Sequence, residues 1–317
     1  MPLHPQARAI IDIMASMGLS MDGDPIELRR LLKGFPRPQG EPVGAVADRR
    51  VPGPAGEVPV RVYTPADVRE RDRPAMIWFH GGGWVIGDLD GADFSCRALA
   101  NRAGCTVVSV DYRLAPEAKF PAAVDDCVAV TEWVAANASA LGIDVHRIAV
   151  GGDSAGANLA TVVSLVARDR RGPALAFQAL VYPATNHSFD TVSYRDNADG
   201  YLLTRDSMVW FWTHYLEALE DGANPLASPL RAADLSGLPP AIVLTAEFDP
   251  LRDEGEAYAE RLRAAGVPVE AYRYDGQIHG FYANPAIDDG VAAVERVAAS
   301  ARRAWEARAH PSASIHT

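Results

Sequence analysis

Between about residues 43 and 300 the chain alternates short β-branched runs with longer stretches of helical period. Residues 57–63 (EVPVRVY) switch between apolar and polar positions, the pattern of a strand with one face in solvent. Five later runs, at residues 75–80, 105–110, 147–150, 177–182 and 241–245, are more continuously apolar. Such runs suit strands covered on both faces, as in a parallel sheet. Residues 267–274 (VPVEAYRY) predict a strand nearer the sheet's edge. Helical period occupies residues 121–140, 155–170, 251–265 and 287–309. This order predicts an α/β fold, with a mostly parallel central sheet flanked by helices on both faces.

Two segments break the alternation. Residues 1–42 hold two helical stretches, the second starting near Asp24-Pro25, where proline suits a first helical position. In the first stretch Ile10, Ile13, Met14 and Met17 share one face. Residues 186–225 follow a strand and contain the aromatic run Met208-Val209-Trp210-Phe211-Trp212-Thr213-His214-Tyr215. The expectation is that the apolar stripe meets this run, so that both segments form a helical cap above the sheet. The chain then divides into N-terminal cap helices (1–42), core (43–185), cap insertion (186–225), core (226–309) and a disordered tail (310–317).

Composition narrows the partners. Against 41 Asp and Glu stand 30 Lys and Arg, a formal net charge of −11, and no basic cluster reverses it locally. Such a surface repels polyanions, so nucleic acid is not expected as a partner. Cys96, Cys105 and Cys127 show no metal-type spacing and read as reduced, buried residues. No apolar run reaches the roughly 18 residues of a membrane helix. Asp12 interrupts the apolar stretch near the N-terminus, which argues against a signal peptide and leaves the cytoplasm as the expected location.

The chemistry begins at Gly151-Gly152-Asp153-Ser154-Ala155-Gly156, between a predicted strand and a predicted helix. Gly-x-Ser-x-Gly alone is weak, but that context is what a strained nucleophile turn requires. A helix N-terminus there also offers amides and a positive dipole end to an oxyanion. His80-Gly81-Gly82-Gly83-Trp84 closes the strand at residues 75–80. It lacks the Gly-Lys-Ser/Thr ending of a phosphate loop, and its glycines allow amides to converge on one point. A serine hydroxyl needs a neighbouring base. His279, just after the last strand, is better placed for this than His146, His187 or His214. Asp249, at the end of the strand at residues 241–245, is the expected acid; Asp253 falls one helical turn further on. The order Ser154, Asp249, His279 is that of the α/β-hydrolases.

Together these residues resemble the hormone-sensitive-lipase-like bacterial esterases over about residues 40–300. The likeness rests on HGGGW (80–84), Asp111-Tyr112-Arg113-Leu114-Ala115-Pro116-Glu117, the Ser154 motif, and Asp249-Pro250-Leu251-Arg252-Asp253-Glu254-Gly255 with His279-Gly280-Phe281. The resemblance implies an α/β-hydrolase fold with a helical cap, and a carboxylesterase with Ser154, Asp249 and His279 as triad. It also implies an oxyanion hole formed by the N–H groups of Gly82, Gly83 and Ala155; the serine mechanism needs no metal or organic cofactor. Trp84, Met208, Phe211 and Trp212 are the expected substrate-binding residues, and short- to medium-chain acyl esters the expected substrates. The resemblance further suggests a homodimer, as in many members. Arg113 and Glu117 are read as a structural ion pair, and Asp153 as orienting the turn or oxyanion loop. No motif separates simple esters from amides, carbamates or acetylated compounds. A non-catalytic ligand receptor on this scaffold would lack the catalytic histidine.

Overall fold

The computed structural model describes residues 2–17, 23–66 and 72–309; the expected tail lies outside them. The strands are β1 (Ala45–Gly53), β2 (Gly56–Thr64), β3 (Arg73–Phe79), β4 (Thr106–Val110), β5 (Ile143–Asp153), β6 (Phe177–Val181), β7 (Ala241–Phe248) and β8 (Val269–Ile278). They form a single sheet in the order β1-β2-β4-β3-β5-β6-β7-β8. β1, β2 and β4 pair antiparallel, and every pairing from β4 through β8 is parallel. The seven expected strands are all present. β1 is an eighth that apolar patterning does not mark, because six of its first seven residues are exposed. An edge strand held by main-chain bonds to a single neighbour needs no apolar stripe.

Helices cover both faces. α3 (Leu89–Ala103) and α9 (Asp288–Ala309) pack on one side, and α4 (Ala122–Ala136), α5 (Ala155–Asp169) and α8 (Arg252–Ala264) on the other. β3 explains why the central runs read as continuously apolar. Ile77 and Phe79 point into one core, while Met76 and Trp78 point into the other. The helical run expected at residues 121–140 ends at Ala136, and a separate short turn covers Ser139–Leu141.

The two irregular segments form α1 (Pro5–Ser16) and α2 (Pro25–Lys33), then α6 (Val192–Asp196) and α7 (Arg205–Tyr215). Asp24 caps α2, its carboxylate accepting the Glu27 amide at 2.9 Å. The expected mating of the α1 stripe with α7 does not occur. Ile10 packs on the α9-side core, while Ile13 and Met17 are 49% and 45% exposed. α7 turns its aromatic face onto the loops after β3 and β4, where Tyr215 stacks on Trp84 at 4.2 Å and meets Phe120 edge-on. With Met208, Phe211, Trp212 and Tyr215 already buried there, α7 has little apolar surface left for α1. Among the described residues no helix is long and apolar enough to cross a membrane.

Candidate active site

Ser154 stands between the end of β5 and the first residue of α5, with φ 56° and ψ −119°. That conformation is unfavourable for a residue with a Cβ. It is held by neighbours: the Ser154 amide donates to Val181 O at 2.9 Å, and Ser154 O accepts the Asn158 amide at 3.0 Å. Small flanking residues make the turn possible. A Cβ at Gly152 or Gly156 would collide with the Phe79 carbonyl, so β3 and α5 approach each other only because neither position carries a side chain. Asn158, fully buried, ties α5 to the following loops by donating to Ala184 O and Ala227 O at 2.8 Å each.

The expected base and acid meet at this serine from two further strand ends. Asp249 follows β7 and His279 follows β8, so parallel pairing of β7 and β8 brings both to the same edge of the sheet as Ser154. His279 Nε2 lies 3.0 Å from Ser154 Oγ, and its Nδ1 lies 2.7 Å from Asp249 Oδ2. Asp249 is fully buried, and its Oδ1 accepts the Leu251 amide at 2.8 Å. A carboxylate can only accept, so Nδ1 carries the imidazole proton and Nε2 presents its lone pair to the serine hydroxyl. Tyr182 packs its ring 4.4 Å from the imidazole; only its place at the end of a strand run hints at this in the sequence. Asp253 sits in the first turn of α8, accepting the Ser193 amide at 2.7 Å and pairing with Arg252. His146 is exposed, and His187 and His214 sit among the cap aromatics.

The glycine loop curls beside the serine. Gly82 has φ 116° and Gly83 φ 57°, both in the region that favours glycine. Gly82 O accepts the Val85 and Ile86 amides at 3.0 and 2.9 Å, which closes the loop on itself. His80 anchors it from below: Nδ1 donates to Gly81 O at 2.7 Å, and Tyr112 Oη donates to His80 O at 2.8 Å. Asp153 lies directly against Gly81, where a Cβ would strike its Oδ2. Desolvation pushes the Asp153 carboxyl up to about 6, against the pull of His279, the Gly81 amide and Trp78.

The ion pair expected between Arg113 and Glu117 is not formed. Arg113 grips Asp126, 1% exposed, through both Nε and Nη2 at 2.8 Å, because Asp126 on α4 lies directly beneath it. Glu117 instead pairs with Arg29 of α2 at 2.6 and 2.8 Å. Arg29 also donates to Val85 O at 2.6 Å and to Ala115 O, pinning α2 to the loop after the glycines. Nothing around position 29 in the sequence signals that reach.

A groove of about 1450 Å³ opens onto Gly81, Gly82, Asp153 and Gly280, with Met14, Met17, Leu32 and Phe35 among its apolar lining. None of the four expected substrate-binding residues lines this groove, and Trp84, Met208 and Trp212 are packed in the core. Trp84 is consumed by Tyr215 and Trp212, leaving its ring no open face. Phe211, also buried, lies over Gly83, closing the loop from the other side.

Residues 76–283 match the family described as having an alpha/beta hydrolase fold. The chain is 44% identical over 302 residues to the carboxylic ester hydrolase LipN of Mycobacterium tuberculosis, covering 92% of this chain and 79% of LipN. It is 41% identical over 230 residues to an ethyl acetate hydrolase of Pseudomonas putida, 71% of each chain. Among solved structures, an ester hydrolase from the metagenome of Lake Arreo, complexed with a derivative of bipyridine phosphonate, superposes with a TM-score of 0.91. It is 40% identical, and the match covers 96% of this chain and 99% of that one.

Proposed function

The chain belongs to the α/β-hydrolase family, among its hormone-sensitive-lipase-like esterases, and is a carboxylesterase; on that premise we propose that Ser154 is its nucleophile, His279 its general base and Asp249 the carboxylate that orients the imidazole. The observation that carries this reading is the relay from Asp249 through His279 to Ser154, at 2.7 and 3.0 Å. His279 Nε2 takes the hydroxyl proton as Ser154 Oγ attacks the ester carbonyl. The developing oxyanion is held by the amides of Gly82, Gly83 and Ala155, the last at the N-terminus of α5. The imidazolium then protonates the leaving alcohol, and water repeats the sequence on the acyl-enzyme. Asp249 keeps the proton on Nδ1 throughout and stabilises the imidazolium. The presence of His279 in the relay disfavours a receptor that only binds.

Short- to medium-chain acyl esters are the proposed substrates. Phe211 closing over Gly83 supports a limited space beyond the loop, and the name of the Pseudomonas putida relative points the same way. The test is a panel of esters and matching amides with graded acyl length. kcat/KM should rise by about 0.8 kcal/mol per accommodated methylene and then fall, with amides far slower. A profile that climbs steadily to long chains, or amides cleaved as fast as esters, would remove this substrate assignment.

A further inference from the structure

Glu254, in the first turn of α8, has no part in the relay yet is 2% exposed. Its Oε1 accepts two main-chain amides, from Thr185 at 2.6 Å and from Asn186 at 3.2 Å. Thr185 Oγ1 answers by donating to the Glu254 carbonyl at 2.9 Å. The other carboxyl oxygen, Oε2, is buried and has no hydrogen-bond partner among the described residues.

The turn this side chain grips and the helix it belongs to each adjoin one member of the relay. One residue before Thr185, the Ala184 amide approaches Ser154 O at 3.4 Å, and Ala184 O accepts the Asn158 side chain of α5. On the other side, Leu251, which leads into α8, gives its amide to Asp249 Oδ1. The Ser154 and Asp249 arms come from different strands, and Glu254 joins the turn behind one to the helix that follows the other.

We propose that Glu254 is a positioning residue that works as an uncharged carboxylic acid, locking the turn Ala184–Asn186 behind Ser154 against the helix that follows Asp249. The proposal rests on the triad reading above. A buried negative charge with one oxygen lacking any donor is costly, whereas a neutral acid accepts the two amides through Oε1 and leaves only an uncharged hydroxyl unpaired at Oε2, the smaller cost. The surroundings favour the neutral form. Burial raises the Glu254 carboxyl well above the usual carboxylate range and Asp249 and Asp253 repel its charge, against the pull of the Thr185 and Asn186 amides. Tyr194 of α6 is a further ionisable group that feels the Glu254 charge, and its own hydroxyl is buried without a partner among the described residues. Kept neutral, Glu254 fixes geometry without setting another negative charge near Asp249.

Two substitutions separate shape from charge. E254Q keeps the length and cannot ionise; E254D keeps the acid and withdraws it by one methylene. Both are assayed over roughly pH 5–9 beside wild type and S154A. E254Q should keep kcat within about threefold with the acid limb of its pH profile unmoved, while E254D loses about tenfold or more in kcat with less effect on KM. An E254D enzyme matching wild type overturns the proposal. So does an E254Q enzyme slower than E254D, or one whose acid limb moves by more than about half a pH unit. Thermal unfolding reads the same point without turnover: the E254Q midpoint should gain on that of wild type as pH rises from about 5 to about 8, because unfolded wild type releases a proton that the folded enzyme holds, and a difference independent of pH overturns it. Turnover surviving in S154A would sink the triad reading itself, whatever the Glu254 variants do.

Discussion

At Ser154 the backbone occupies φ 56°, a strain of roughly 1–3 kcal/mol that surrounding bonds must offset. The residues that permit it are small ones at fixed spacing, so the turn was legible in the sequence from Gly152 and Gly156. The carboxylates needed more, since Asp249 and Asp253 differ by one helical turn. Asp249 Oδ2 contacts the imidazole, whereas Asp253 accepts the Ser193 amide. D249N should therefore lower kcat by a factor on the order of 10⁴, as loss of the orienting carboxylate does in serine proteases, and D253N by far less. Steady-state kinetics of the two variants checks this, and a reversed ranking contradicts it. Asp153 also makes stability depend on pH. Its folded carboxyl titrates at about 6 against an ordinary 3.8, so the native state holds the proton longer and stability falls as pH rises between those values. D153N should gain thermal stability relative to wild type on going from about pH 4 to about pH 7. Melting curves whose difference is independent of pH would refute this. The pairings of Arg29 and Arg113 were not legible, because each depends on which element the fold lays beneath the side chain.

Among elements, the buried strands and the helix after Ser154 could be read directly, since two-faced burial leaves continuous apolar runs. β1 could not, because an edge strand is specified by main-chain pairing. The contact between α1 and α7 was misjudged for a different reason. Apolar surface on two segments shows that each needs a partner, and the sequence does not say which; Trp84 and Phe120 had already taken α7. α1 and α2 instead border the groove, with Met14, Met17, Leu32 and Phe35 in its lining. Deleting residues 1–35 should therefore flatten the acyl-length profile and expose an apolar, aggregation-prone surface with every relay residue still present. A soluble truncated protein with the wild-type profile would show that the segment serves stability alone. R29M probes how α2 is held to the loop after the glycines. It removes the charged donor to Val85 O, Ala115 O and Glu117, and should cost on the order of 1–3 kcal/mol of stability, read as a lower melting temperature.

For the molecule as a whole, three strand ends of one sheet deliver the serine, the carboxylate and the histidine to a single point, with the glycine loop of a fourth beside them. The proposed chemistry draws on side chains and main-chain amides alone. Exhaustive treatment with EDTA should accordingly leave ester hydrolysis unchanged, and activity lost to the chelator and restored by a divalent ion would contradict that. If Ser154 forms the covalent intermediate, a phosphonate ester that traps serine will mark it. After inactivation, intact mass should show one adduct per chain, peptide mapping should locate it on Ser154, and S154A should take up none. An adduct on any other residue, or labelling that persists in S154A, would rule Ser154 out as the nucleophile.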